Sequence, residues 1–151
     1  MTTILPIFFF AFLIGAPAHG QTKPSTAVEL AAYSGADRER LLVDGAKREG
    51  KVVWYTTLAA EQNKQLAGAF EAKYPGIKVE TFRTGSSALT QRLLTEAKAR
   101  RHIVDAIETT LPGLLTFREN QLLLPYTSPH LAAFPEDAKE KTAKNLVYWT
   151  N

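Results

Sequence analysis

The stretch Leu41-Leu42-Val43-Asp44-Gly45-Ala46-Lys47-Arg48-Glu49-Gly50-Lys51-Val52-Val53-Trp54-Tyr55-Thr56-Thr57 decides the fold class. Leu41, Leu42, Gly45, Ala46 and Glu49 recur at helical spacing behind Asp37, a candidate N-cap, and Gly50 supplies a left-handed stop. Val52-Val53-Trp54-Tyr55 then reads as a buried strand, and Thr56-Thr57-Leu58-Ala59-Ala60 as a polar turn into the next helix. The pattern repeats downstream. A helix over 61–74 places Leu66, Ala69, Phe70 and Tyr74 on one face and ends at Pro75-Gly76. A half-exposed strand follows, in which Ile77, Val79 and Thr81 alternate with Lys78, Glu80 and Phe82. Arg83-Thr84-Gly85-Ser86-Ser87 turns into a helix that carries Leu89, Leu93 and Ala97 inward. Residues 103–107 read as a third strand, Glu108-Thr109-Thr110 as its cap, and Pro112 as the first turn of a helix stopping near Asn120. Alternation of this kind predicts an α/β fold with a parallel sheet, whose ligands lie where strands end and helices begin.

Beyond this block, Leu122-Leu123-Leu124-Pro125-Tyr126 is a short apolar extension, and 128–144 reads as a polar surface loop with a helical turn. Val147-Tyr148-Trp149-Thr150 begins another strand near the last residue, Asn151. Three or four parallel strands leave an edge and a face exposed, so the chain reads as truncated relative to its architecture.

At the other end, residues 1–20 contain no Lys, Arg, Asp or Glu, and 4–14 has the length of a secretory apolar core. Ala16-Pro17-Ala18 and Ala18-His19-Gly20 both fit a small-x-small cleavage site; cleavage after Gly20 is expected, with Ala18 as the alternative. An uncleaved membrane anchor is the competing reading. The expected organisation is a signal peptide over 1–20, a polar linker over 21–36, an N-terminal α/β lobe over 37–127 and a crossover segment over 128–151.

Removal of the signal leaves about 130 residues, enough for one small core. All 18 basic and 15 acidic residues lie in that part, so its net charge stays +3. The charges are interspersed, and the one basic cluster, Lys98-Ala99-Arg100-Arg101-His102, sits at a helix end where it complements the helix dipole. No nucleic-acid partner is expected. Cysteine is absent, which excludes thiolate metal sites and cysteine nucleophiles.

Gly85-Ser86-Ser87 is the strongest site candidate. A helix N-terminus offers unsatisfied N–H groups and partial positive charge, and the two serines add hydroxyls to make an anion pocket. Arg83 adds a fork of donors. A serine here also serves simply as a helix cap. Thr56-Thr57 lies at the corresponding end of the first strand, and Glu108-Thr109 completes a polar rim; Glu108 suits a metal or a ligand hydrogen bond, or stands solvated. His19, His102 and His130 have no partner at metal-ligand spacing, and neither a Gly-x-Ser-x-Gly elbow nor a P-loop is present. Asp105 lies within a strand pattern and reads as structural. An exported α/β hydrolase of phosphate esters is the enzymatic alternative, although the chain shows no catalytic set.

The sequence resembles the periplasmic substrate-binding proteins of bacterial ABC importers, in the branch termed iron(III)-binding. The likeness rests on Ala46 to Thr57, on Phe70-Glu71-Ala72-Lys73-Tyr74-Pro75-Gly76-Ile77-Lys78-Val79, on Arg83 to Ser87 with Leu93 and Glu96, and on Asp105 to Thr109. It implies the N-terminal lobe of a type II periplasmic binding protein-like clamshell that closes on its ligand and docks on a membrane permease. It implies a non-enzymatic periplasmic protein whose solute is a small anion or metal-anion complex, including ferric iron with a synergistic anion. The turns matching Tyr55-Thr56-Thr57 and Gly85-Ser86-Ser87 line the cleft in similar proteins. In ferric binders the iron-holding tyrosines come largely from the second lobe, which is missing here, so no metal ligands are assigned. A truncated, non-functional remnant of such a protein is the remaining alternative.

Overall fold

The computed structural model describes residues 23–142 and 145–150; the expected signal peptide lies outside the described residues. Helix α1 (Ala27–Ala32) and α2 (Arg38–Glu49) lead into β1 (Lys51–Thr56), α3 (Ala60–Lys73), β2 (Lys78–Arg83), α4 (Ser86–Lys98), β3 (Ala106–Glu108) and α5 (Leu111–Glu119). Two 3₁₀ turns, Pro129–Ala133 and Glu136–Ala138, precede β4 (Lys139–Lys141) and β5 (Val147–Thr150). Gly50 ends α2 at φ 75°, and its N–H donates to the Ala46 carbonyl at 2.8 Å. An L side chain is strained at that angle, so Gly50→Ala is expected to cost about 1 kcal/mol in urea unfolding.

The first three strands form one parallel sheet in the order β2-β1-β3. The connection through α3 moves one way across the sheet and the connection through α4 moves the other. Right-handed crossovers therefore place these helices on opposite faces. On the α4–α5 face, Tyr55, Leu89, Leu93 and Phe117 form the buried core, with Val53, Phe82, Ile107 and Leu122 packed around it. On the other face, Leu42, Val43 and Ala46 of α2 and Phe70 of α3 share a groove of about 240 Å³ with Tyr74, Ile77 and Pro129.

Several local expectations need correction. Asp37 stands in the N-cap position but caps nothing; its carboxylate instead accepts from the Tyr33 hydroxyl at 2.7 Å and Arg40 Nη2 at 3.0 Å. The expected linker contains α1, held by a reciprocal cap in which Thr26 Oγ1 accepts from Glu29 N–H and Glu29 accepts from Thr26 N–H. The second strand is covered on the α4 side, where the parallel register sets Phe82 beside Tyr55, with ring centroids 5.2 Å apart. Both sheet faces are covered by helices, so period-two alternation does not mark one inward side. Leu66 is 53% exposed, and α3 turns Ala67, Phe70 and Glu71 inward.

The third strand starts later than its apolar pattern predicts. Arg100 takes φ 55°, residues 101–104 run irregularly, and Ile103 stays exposed. Asp105 then clasps β1 by donating its N–H to the Val53 carbonyl at 3.0 Å and accepting the Val53 N–H on its carboxylate at 2.8 Å. Its role is structural, as its place in the strand pattern suggests.

The last strand is also covered, contrary to expectation. β5 pairs antiparallel with β4, and Val147 bridges to Tyr126 through reciprocal backbone bonds. Val147 and Trp149 are buried, and the Arg118 guanidinium lies 5.6 Å from the Trp149 ring centre while pairing with Glu140. Hydrogen bonds from Lys139 and Lys141 hold the Glu136 carboxyl at about 2, far below its usual 4.5. A depressed folded pKa contributes stability above the unfolded value that is lost on acidification. The protection factors of β4 amides, their exchange measured against the intrinsic rate at each pH, are therefore expected to fall as pH drops from about 4.5 to about 2.

Candidate functional site

An order of β2-β1-β3 puts the topological switch between β1 and β3, and a ligand crevice forms outside their carboxyl ends. The register pairs Thr56, the last residue of β1, with Glu108, the last of β3. This pairing creates a compact polar centre. Glu108 Oε2 accepts from Thr56 Oγ1 at 2.7 Å, Thr57 N–H at 2.8 Å and Leu58 N–H at 3.1 Å. The Thr57 hydroxyl lies 3.2 Å from both carboxylate oxygens. Thr56 is fully buried, and its oxygen also accepts from Leu58 N–H at 3.1 Å. The arrangement compensates a half-buried charge with converging donors.

The donors expected to meet a ligand after β1 are therefore already engaged by the chain's own carboxylate. This changes the chemistry of the rim. The turn itself presents no vacant anion hole; it holds Glu108 in one orientation. Among the described residues Glu108 Oε1 carries only the long Thr57 contact, which leaves acceptor capacity for a cation or a hydrogen-bond donor.

The β2–α4 turn is different. Gly85, not a serine, is the N-cap of α4, and Ser86 and Ser87 are the first two helical residues; neither side chain caps the helix. Their N–H groups belong to the first turn, which has no intrahelical acceptors. A Cβ at Gly85 would meet no atom within 4 Å, so the approach to this turn is open. Arg83 Nε donates to the Leu58 carbonyl at 2.5 Å, and Thr84 N–H to the Thr56 carbonyl at 3.2 Å. These bonds tie the two turns together. Two strand spacings, roughly 10 Å, separate the Glu108 end of the rim from the serine end.

Thr109 sits behind this rim. Its Oγ1 is buried without a hydrogen-bond partner among the described residues, and an added Cβ at Gly113 would lie 3.0 Å from its Cγ2. Gly113 thus permits close approach of the β3–α5 turn, and any larger residue there must push Thr109 aside.

The structure does not bring Tyr55 to the rim. Alternation along β1 sends Tyr55 to the face opposite Thr56, where it is 1% exposed. Its hydroxyl donates to Glu96, 2.9 Å from Oε1, and accepts from Arg92 Nε at 3.1 Å. Burial and the Glu96 hydrogen bond raise its pKa, which keeps a neutral phenol in the core. The Arg92 guanidinium also covers the Phe82 ring at 3.9 Å. Among the described residues, no group of three or more His, Asp or Glu side chains is clustered as metal ligands.

No protein-family model matches the sequence, and no curated protein matches it. Solved structures do match the fold. The iron-bound HitA from Pseudomonas aeruginosa aligns with a TM-score of 0.54 and 22% identity over 63% of this chain. The Trichodesmium protein IdiA (FutA), in complex with iron and citrate, aligns with a TM-score of 0.53 and 21% identity over 64%. The match spans 30% of the length of each of those chains. The parallel three-stranded α/β unit therefore matches part of one lobe of the periplasmic binding protein fold.

Proposed function

We propose that this chain is the N-terminal lobe, over 37–127, of an exported solute-binding component of an ABC importer. It captures a small anion or metal-anion complex in the periplasm and presents it to a membrane permease, without bond-making chemistry. The carrying observation is a pre-oriented Glu108 at the sheet's switch point, beside the open first turn of α4. The two ends of this rim suit different parts of one solute. Ser86 and Ser87 N–H groups, with Arg83 nearby, favour anionic oxygens. Glu108 Oε1 favours the positive centre of a chelate. Ferric iron held by an anion such as citrate has both features, and the two structural neighbours hold iron, one of them with citrate.

Ligand linkage provides the test. A solute that binds the folded chain stabilises it by about 2.7 kcal/mol at a hundred times Kd. Ferric citrate is expected to raise the melting temperature more than citrate alone, because only the complex engages both ends of the rim. Equal shifts with citrate and ferric citrate would remove the role assigned to Glu108. No shift with ferric citrate, citrate or phosphate would remove the solute-binding reading.

A further inference from the structure

Strand β2 forms one margin of the parallel sheet. Lys78 N–H donates to the Gly50 carbonyl at 2.9 Å, and Thr84 N–H to the Thr56 carbonyl at 3.2 Å. Even-numbered residues of β2 therefore turn their backbone groups toward β1. Val79, Thr81 and Arg83 turn theirs outward, in a row that another strand can pair with.

One of these outward groups is already taken. Glu71, near the end of α3, reaches over the edge so that its Oε1 accepts the Val79 N–H at 3.0 Å. Its Oε2 accepts from Lys78 Nζ at 3.2 Å. The Val79 bond is the leading cause that holds the Glu71 carboxyl below its usual range, with Lys78 adding to it. At the far end of the strand, the Arg83 side chain folds back onto the Leu58 carbonyl.

We propose that Glu71 guards the β2 edge against pairing with the β2 edge of a second copy of this chain. The two-fold antiparallel pairing it opposes centres on Thr81. In that register each Val79 N–H would bond the carbonyl of the partner's Arg83, and Glu80 would face the partner's Phe82. No like charges would stand directly opposite, so side-chain repulsion along the strand does not forbid the pair. What forbids it is loss of the Val79 donor in both copies, together with the bulk of Glu71 lying across the edge. The guard acts through a hydrogen bond that a neutral amide also makes, so shape and acceptor matter more than charge.

The test is sedimentation velocity on the full chain at rising concentration, with hydrogen exchange followed at Thr81 and Arg83. The unsubstituted chain and Glu71→Gln are expected to stay monomeric. Glu71→Ala is expected to rise toward a two-fold greater mass, with exchange at Thr81 and Arg83 slowing as concentration increases. Adding Val79→Pro to Glu71→Ala removes the freed donor at an edge position that tolerates proline, and is expected to restore the monomer. A monomeric Glu71→Ala chain, or a double variant that pairs as strongly as Glu71→Ala, overturns the proposal. Circular dichroism on the same samples separates pairing from unfolding. Growth in mass accompanied by loss of helix also overturns it.

Discussion

Phe117→Ala is expected to destabilise the lobe by about 3–5 kcal/mol, the range for truncating a fully buried aromatic ring. Phe117 is 0% exposed and packs with Tyr55, Leu89 and Leu93 where α4 and α5 meet the sheet. Truncation removes both its transfer free energy and the contacts that keep α5 against α4. A small domain has total stability of only about 5–15 kcal/mol, so this loss is a large share of it. Leu66→Ala is the matched control: Leu66 is 53% exposed, and its replacement is expected to stay within about 0.5 kcal/mol. Urea unfolding measures both. Similar losses at the two positions would mean that the core is not on the α4–α5 face.

The second large effect falls on the rim. Glu108→Ala leaves Thr57 N–H, the Thr56 hydroxyl and part of the Leu58 N–H bonding without their acceptor. Each buried donor left unpaired costs about 1–3 kcal/mol. Leu58 retains Thr56 Oγ1, and water reaches the half-buried Thr57, so the expected net loss is about 2–4 kcal/mol. Glu108→Gln keeps an acceptor oxygen in the same place and is expected to lose about 1 kcal/mol, the scale of one hydrogen bond. The two variants separate stability from recognition. Glu108→Gln should remain folded yet bind ferric citrate at least about tenfold more weakly, a difference of about 1.4 kcal/mol. Its affinity for citrate alone should hold. Urea unfolding and calorimetric titration read the two effects independently.

Much of the architecture is legible in the sequence because its signals are local. Gly50 stops α2 in the left-handed conformation, and Pro112 lies in the first turn of α5. The three βα alternations yield the parallel sheet. The Thr26-x-x-Glu29 spacing that caps α1 is equally local, although the polar composition of 21–36 reads as a linker. What is not legible depends on distant partners. The Thr56–Glu108 bond joins residues 52 apart and exists only because the strands pair in one register. A strand of six residues with both faces covered gives no sign of which face holds Tyr55, so its assignment to the rim fails on parity alone. The competing reading of Ser86 or Ser87 as the helix cap fails more narrowly, because Gly85 takes the N-cap position and the helix begins one residue earlier than a serine cap requires. β4 is not legible because Lys139-Glu140-Lys141 carries no apolar pattern, and its pairing partner β5 supplies the buried residues.

Amide-resolved NMR titration of the full chain with citrate, and then with ferric citrate, tests the central claim most directly. The account predicts citrate-dependent shifts at Ser86, Ser87 and Ala88. With the paramagnetic iron complex it predicts line broadening that extends to Thr57, Leu58 and Thr109 across the rim. Broadening centred on the α2–α3 groove around Leu42, Phe70 and Ile77, or spread without localisation, would contradict it.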